Sequence, residues 1–357
     1  MTIERTFWHS FRNLGAPGRA EWGGGLNLLI GPNGAGKTNF LESLNVLCGW
    51  GPFSGGVLPL VARGSDGRAL LSCECGPTRV EVRIGARITP RLDGRVVSHS
   101  ELRFAIPSLS FLPGDINLLE GSPGVRRYFL DRVCSLCSPL YARRLAEYRR
   151  LVKARGALLR SAVPDDRALR ACSVPLAGLG RWIREARSRA SAMLEEKLSE
   201  RLSASLSDLS PAPLALSPVW AGGADIEAWF ASSANLERER HARSVLVGPH
   251  RDDLLVAVAG VQRSAAEVFS RGHKRRAVVA MILAAGRLVE GRLRKSPVLL
   301  LDDVTAELDT EGRELTGRAL TETGWQVFAA GTEEGLFGRS ATSAVLWRVR
   351  EGRIDSR

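Results

Sequence analysis

No stretch of this 357-residue chain approaches the roughly 20 consecutive apolar residues that a bilayer-crossing helix requires, so a helical membrane protein is excluded. The first residues, which include Glu4 and Arg5, hold no long apolar stretch, so no signal peptide is expected and the expected address is the cytoplasm. Lysine is nearly missing. It occurs only at Lys37, Lys153, Lys197, Lys274 and Lys295, so a formal charge of +12 and a pI near 10.2 rest on arginine. Such an excess suits a polyanionic partner, because basic side chains that neutralise phosphates release condensed counterions; a GC-rich coding sequence raises arginine as well. Six cysteines are present without two matched pairs. Cys134 and Cys137 have metal-like spacing and Cys73 and Cys75 share a strand face, but buried core thiols are the favoured reading and disulfides are not expected. Internal repeats are also missing, while 44% apolar residues suffice for a sizeable core.

What is present starts with Gly31-Pro32-Asn33-Gly34-Ala35-Gly36-Lys37-Thr38, which follows the apolar run Leu26 to Ile30 and opens a helical pattern from Thr38 to Cys48. Glycines let the main chain approach an anion, successive N–H groups turn inward, and the helix start adds its positive dipole end. This is a phosphate-binding P-loop: Lys37 is expected to reach the β- and γ-phosphates of ATP and Thr38 to ligate Mg²⁺. Hydrolysis further needs a carboxylate for the metal and a group that orients water. Val298-Leu299-Leu300-Leu301-Asp302-Asp303 meets that need, with a buried parallel strand delivering two acids at its carboxyl end. Asp302 is expected at the Mg²⁺ and Asp303 at the water; the alternative is that both merely cap a following helix.

Between these motifs the texture changes. The first hundred residues read as short strands: Ile3 to Trp8, Leu26 to Ile30, Ala69 to Cys75, Arg79 to Ile84, Arg95 to Ser98. From Gly121 to Glu239 long helical patterns dominate, including one over Arg127 to Tyr141, with loops near Pro164 and from Pro211 to Gly223. Leu179, Ile183, Ala186, Ala190 and Met193 form a stripe that predicts a helix pair or short coiled coil. Strands return after Val245, with helices over Arg276 to Arg292 and Thr310 to Thr321 and strands at Val298 to Leu301, Trp325 to Ala330 and Val345 to Val349.

More than 250 residues separate Lys37 from Asp302, so a long insertion splits the nucleotide fold. That arrangement resembles the ATPase heads of ABC and SMC proteins. Phe269-Ser270-Arg271-Gly272-His273-Lys274-Arg275 is similar to an ABC signature, in which the serine and glycine contact ATP held by the opposite subunit; an ordinary N-cap serine is the competing reading. Ala306-Glu307-Leu308-Asp309 looks like the D-loop of such heads.

Further segments resemble the RecF family over nearly the whole chain: Phe11-Arg12-Asn13, Gly121-Ser122-Pro123 with Arg126-Arg127 and Phe129-Leu130-Asp131, Tyr141, Tyr148 and Lys153, and Leu246-Val247-Gly248-Pro249-His250-Arg251-Asp252-Asp253. The resemblance implies an α/β fold, an ABC/SMC-type P-loop ATPase head of mixed sheet and flanking helices with an inserted, mainly α-helical second lobe. The expected limits are 1–112 for the first part of the head, 113–240 for the lobe and 241–357 for the rest. It implies ATP and Mg²⁺ as cofactors, ATP-induced homodimerisation that clamps duplex and gapped DNA, slow hydrolysis that releases it, and action with RecO and RecR to load RecA in gap repair and the SOS response. Four positions depart from the family pattern: Gly114 where relatives carry a Q-loop Gln or Glu, with Asp115 as its substitute; Ala306 for the D-loop serine; His273 for a signature glutamine; and Ala330 for a threonine. They bear on hydrolysis and subunit coupling, so a RecF-like protein that binds ATP but barely turns it over is one alternative. An ABC-like ATPase coupled to a nuclease is another, although the 48 residues after Asp309 contain no convincing acidic metal cluster. His250 reads either as a partner of a buried carboxylate such as Asp252, as a nucleotide sensor or as a satisfied loop histidine, the last being favoured.

Overall fold

The structure is a computed structural model that describes residues 2–14, 17–53, 56–161, 165–200, 208–261, 263–341 and 343–356; the loop expected near Pro164 lies outside them. In chain order the strands are β1 (Arg5–His9), β2 (Gly18–Glu21), β3 (Leu26–Ile30), β4 (Ala69–Cys75), β5 (Thr78–Ile84), β6 (Ile88–Leu92), β7 (Arg95–Val96), β8 (Ser108–Phe111), β9 (Leu214–Val219), β10 (Asp253–Val258), β11 (Val298–Asp302), β12 (Val327–Gly331), β13 (Val345–Arg350) and β14 (Arg353–Ser356). The helices are α1 (Lys37–Leu47), α2 (His99–Ala105), α3 (Asn117–Glu120), α4 (Pro123–Cys137), α5 (Pro139–Arg160), α6 (Asp166–Ser199), α7 (Ile226–Ala231), α8 (Ser233–Ala242), α9 (Ala265–Val268), α10 (Arg271–Leu293) and α11 (Thr310–Glu322).

The chain forms two compact units. The first comprises 1–116, 198–211 and 269–357; the second comprises 117–197 and 212–268. Relative to the expected lobe of 113–240, the second unit extends past Arg240 to Val268, because β9 and β10 pair antiparallel and keep the segment around Asp252 with the helices.

Two six-stranded sheets build the first unit. One, in the order β2-β1-β4-β5-β6-β7, is antiparallel throughout; β5 alternates as expected of a sheet with one face inward, burying Val80, Val82 and Ile84. The other has the order β14-β13-β3-β12-β11-β8 and is parallel except at β14. Its strands β3 and β11 are buried at every position, which explains why they are apolar apart from Asn27 and the terminal Asp302. Asn27 is the one polar residue of β3, and its amide is spent on Gly23, Gly25 and the Trp347 indole. Helix α1 packs on both sheets, against β4 and β5 of one and β11 and β12 of the other. Helix α10 is buried almost all round, which is why it shows so little amphipathic pattern; Gly286 lets Trp325 lie directly on its backbone.

In the second unit α4, α5 and α6 pack round Cys134, Tyr141, Tyr148, Leu176 and Ile183. Several expectations change here. The helix expected over Arg127 to Tyr141 is two helices, because Pro139 forces Ser138 into an extended conformation. The loop expected from Pro211 to Gly223 contains β9, whose alternation of buried Leu214 and Leu216 is disguised by three prolines; Pro218 is tolerated because β9 has only one strand neighbour. Along α6, Ile183 and Ala190 face inward as expected, but Met193 is 44% exposed and Leu194 takes its place, the drift expected of a 3.6-residue helix against a 3.5-residue repeat. Cys134 is a buried thiol whose pKa is pushed far above the ordinary value by burial, while Cys137 is only half-buried. In the first unit β7 stops at Val96, and Ser98, expected in that strand, forms a capping box with Glu101 at the start of α2.

Candidate nucleotide site

At the carboxyl ends of β3, β11 and β12 the first unit opens a cavity of about 300 Å³. Its walls include Asn33, Gly34, Gly36, Lys37, Thr38 and both acids, Asp302 and Asp303. Two motifs more than 250 residues apart therefore share one wall, because β12 is the only strand between β3 and β11. The contact is direct: the Thr38 hydroxyl donates to Asp302 Oδ2 at 2.7 Å.

Each predicted P-loop residue has a definable place. Gly31 is packed so tightly that a Cβ would lie 2.1 Å from the Val349 carbonyl oxygen, and Gly36 adopts φ +112°, which L side chains rarely adopt. Lys37 Nζ donates to the carbonyls of Gly31 at 2.7 Å and Pro32 at 3.0 Å, so these two residues hold the lysine and do not themselves line the cavity. Ala35 is buried, and its carbonyl accepts from Gly352 N at 2.8 Å. Helix α1 begins directly after Gly36 with no side-chain cap, which leaves its first N–H groups for whatever enters the loop.

Electrostatics sharpen the picture. Burial raises the Asp302 pKa above its ordinary value, with the neighbouring Asp303 charge adding to the effect, although the Thr38 hydrogen bond and Lys37 oppose it. Burial likewise lowers the Lys37 pKa, against the pull of both acids. A lysine and a carboxylate that are each penalised for charge in a polar cavity form a site that gains from a polyanion and a divalent cation together. Thr38 and Asp302 supply two hard oxygen donors for such a cation. Asp303 is exposed at φ +49°; its N–H donates to the Ala330 carbonyl at 3.1 Å and its own carbonyl accepts from Arg275 Nη1 at 2.7 Å.

Ser270 and Gly272 do not line this cavity. Ser270 caps α10, its hydroxyl accepting from His273 N at 3.3 Å, and a Cβ on Gly272 would sit 3.3 Å from the Glu307 carbonyl oxygen. The signature segment is thereby joined to the D-loop segment, where Glu307 also meets Arg271 at 3.3 Å and Arg275 at 3.8 Å, and Asp309 caps α11 through Gly312 N. Asp115 accepts from Leu112 N at 2.7 Å, and it is Pro113, not Gly114 or Asp115, that lines the cavity.

Sequence reasoning missed several residues here. Asn39, Gly331 and Thr332 line the cavity, and Thr332 places a hydroxyl-bearing residue two positions beyond Ala330. The signal was available, since Gly331 and Thr332 end an apolar strand just as the P-loop does. Asn13 braces the loop, donating to the Gly34 carbonyl at 3.2 Å and accepting from Asn39 at 2.7 Å, while Arg12 holds Glu42 of α1 through two hydrogen bonds of 2.5 and 2.8 Å.

His250 belongs to the second unit, where its Nδ1 lies 2.7 Å from the Tyr148 hydroxyl and its Nε2 lies 3.1 Å from the Val245 carbonyl. It is a satisfied histidine whose pKa is lowered by burial. The carboxylate it was suggested to orient, Asp252, is held instead by Arg184 at 2.7 and 2.8 Å.

No protein-family model matches the chain. It is 34% identical over 344 residues to the DNA replication and repair protein RecF of Moorella thermoacetica, covering 92% of this chain and 90% of that protein. To the RecF of Roseiflexus castenholzii it is 33% identical, covering 92% and 93%. Among solved structures it is similar to the recombination mediator protein RecF-ATP of the RecFOR pathway, with a TM-score of 0.84, 23% identity, and 100% and 97% of the two chains covered. It is also similar to the Smc head bound to the C-winged helix domain of ScpA, with a TM-score of 0.60, 15% identity, and 100% and 98% covered. The fold is that of the ABC/SMC-type ATPase heads, and the chain belongs to the RecF family of DNA replication and repair proteins.

Proposed function

We propose that this protein is an ATP-gated DNA-binding protein of recombinational gap repair. The observation that carries the nucleotide half is the 2.7 Å hydrogen bond from Thr38 to Asp302 beside Lys37, in one cavity. Lys37, held by two backbone carbonyls, would hold the phosphates of ATP, and Thr38 and Asp302 would hold Mg²⁺, which would neutralise charge on those phosphates. Asp303 orients the water. The RecF solved as a RecF-ATP structure supports the choice of nucleotide.

Ser270 and Gly272 lie outside the cavity of their own chain, which supports a composite site in which they meet ATP held by a second copy. ATP then acts chiefly as interface material, closing a homodimer on duplex or gapped DNA, with the net charge of +12 setting a salt-dependent affinity. RecO and RecR are the expected partners, and RecA loading the expected outcome. Hydrolysis is slow, a reading supported by Asp115, which is engaged by its own turn, and by Gly114, which has no side chain to reach a metal.

The test measures dimer mass by sedimentation, affinity for gapped DNA, and phosphate release, each without nucleotide, with ADP and with ATP. ATP is expected to raise both dimerisation and DNA affinity, and Lys37→Arg to abolish both gains. If ATP moves neither quantity, the reading fails.

A further inference from the structure

The second unit contains a cavity of its own, also about 300 Å³, at the lower end of the range of small-ligand pockets. Arg127, Arg149 and Arg187 line it. Among the described residues that do so, Asp131 is the only carboxylate, which leaves the wall two charges positive. Asp131 is already heavily used: it accepts from the Tyr141 hydroxyl at 2.5 Å, from Arg187 at 2.8 Å and from Arg149 at 3.1 Å. Arg187 is buried and spends a further donor on the Pro249 carbonyl. Arg127 bonds the Asp252 carbonyl at 2.7 Å, and burial together with the Arg187 charge lowers its pKa. Guanidinium groups crowded in this way gain from an anion between them.

We propose that this cavity is a second phosphate site, which takes a phosphate monoester through Arg127 and Arg149. The dianion matches the wall's net excess of two positive charges. The rest of the wall is arranged to add none. His250 Nε2 donates to the Val245 carbonyl, so Nδ1 accepts the Tyr148 proton, and the pair stays neutral with its donors turned away from the ligand. Gly124, in the first turn of α4, brings the positive end of that helix to the wall without a side chain in the way. Tyr128, 57% exposed, offers a ring for the group that carries the phosphate. A free mononucleotide and a terminal phosphate of a DNA strand share this chemistry; the second source rests on the DNA-binding function proposed above, the first does not.

With the P-loop held full by saturating Mg-ADP, the full chain is titrated calorimetrically with inorganic phosphate and with dAMP. One additional site per chain is expected. Arg127→Gln and Arg149→Gln should each weaken it by about 10-fold, the worth of one charge-assisted hydrogen bond. Gly124→Glu should abolish it, because a carboxylate then enters the cavity from a position whose Cβ meets only ordinary contacts, Ser122 Oγ at 3.5 Å and Arg127 Nη2 at 3.7 Å. In parallel, gapped DNA is compared with phosphate or hydroxyl at its strand ends. A preference for phosphate that Gly124→Glu removes identifies the strand end as the source, whereas dAMP binding without that preference identifies the free nucleotide. Failure of DNA binding altogether overturns the proposed function and leaves the dAMP titration to decide the pocket. No additional site for phosphate or dAMP, and no preference between DNA ends, overturns the inference.

Discussion

Replacing Asp302 by asparagine should stabilise the protein without nucleotide and destabilise it, relative to the parent, with nucleotide. The side chain is 7% exposed, and burial with the Asp303 charge raises its pKa, so the folded protein prefers the neutral form. Asparagine supplies a neutral group of the same shape whose carbonyl still accepts the Thr38 hydroxyl. Relief of an unfavourable charge of this kind is worth about 1 kcal/mol, near 2 °C in Tm for a chain of this size. The pH dependence follows from the raised pKa. Below the ordinary carboxylate value of about 3.9 the group is protonated in both states and the folded state carries no penalty; stability is lost as pH rises through the folded-state pKa. The advantage of Asp302→Asn should therefore be absent below the ordinary carboxylate value of about 3.9, grow as pH rises through the folded-state pKa, and then hold level to neutral pH. Mg-ATP at about 100 times its Kd adds about 2.7 kcal/mol to the parent. The variant lacks the metal carboxylate and should gain far less, so the order of Tm values inverts on adding Mg-ATP. Differential scanning calorimetry from about pH 3.5 to about pH 7.5, with and without Mg-ATP, reads all of this. A variant less stable than the parent at neutral pH without nucleotide, or an advantage indifferent to pH, refutes the reasoning.

Lys37→Ala should weaken ATP binding by about 100-fold, the worth of charged hydrogen bonds to phosphate, with little change in Tm, as isothermal titration and calorimetry will show. Gly36→Ala should cost about 1–3 kcal/mol in urea unfolding, since alanine is strained at φ +112° and its Cβ would lie 3.0 Å from Asn13 Oδ1. Arg184→Met strands Asp252, 1% exposed, and the carbonyls of Ala221 and Gly223; a loss of about 3–5 kcal/mol is expected, seen first as increased hydrogen exchange in 212–268. Ser270→Arg should leave ATP affinity within about twofold and abolish ATP-dependent dimerisation in sedimentation, because Ser270 lies outside its own chain's cavity.

Much of the candidate nucleotide site was legible because it depends on local pattern. An apolar run, a glycine turn and a helix start mark the P-loop, and four apolar residues ending in two acids mark β11. What the pattern hid was context. Pro218 concealed β9, since a strand with one neighbour tolerates a residue that central strands reject, and Pro139 split a helix whose periodicity runs through it. Asn39 and Thr332 carry no motif and Asn13 only a family resemblance; the site role of Asn13 and Thr332 appears only when folding brings Asn13 to Gly34 and Asn39, and Thr332 to the cavity that Lys37 lines.

The sequence by itself determined which residues can cradle phosphate and that the chain is split, because glycine conformations, strand alternation and residue spacing are properties of neighbours along the backbone. The tertiary structure alone decided that β12 is the single strand between the two motifs, that burial penalises charge on Lys37 and Asp302, and that three arginines from α4, α5 and α6 line one cavity, two of them bonded to Asp131. Desolvation and charge crowding depend on what surrounds a group in space, and no run of residues encodes that locally.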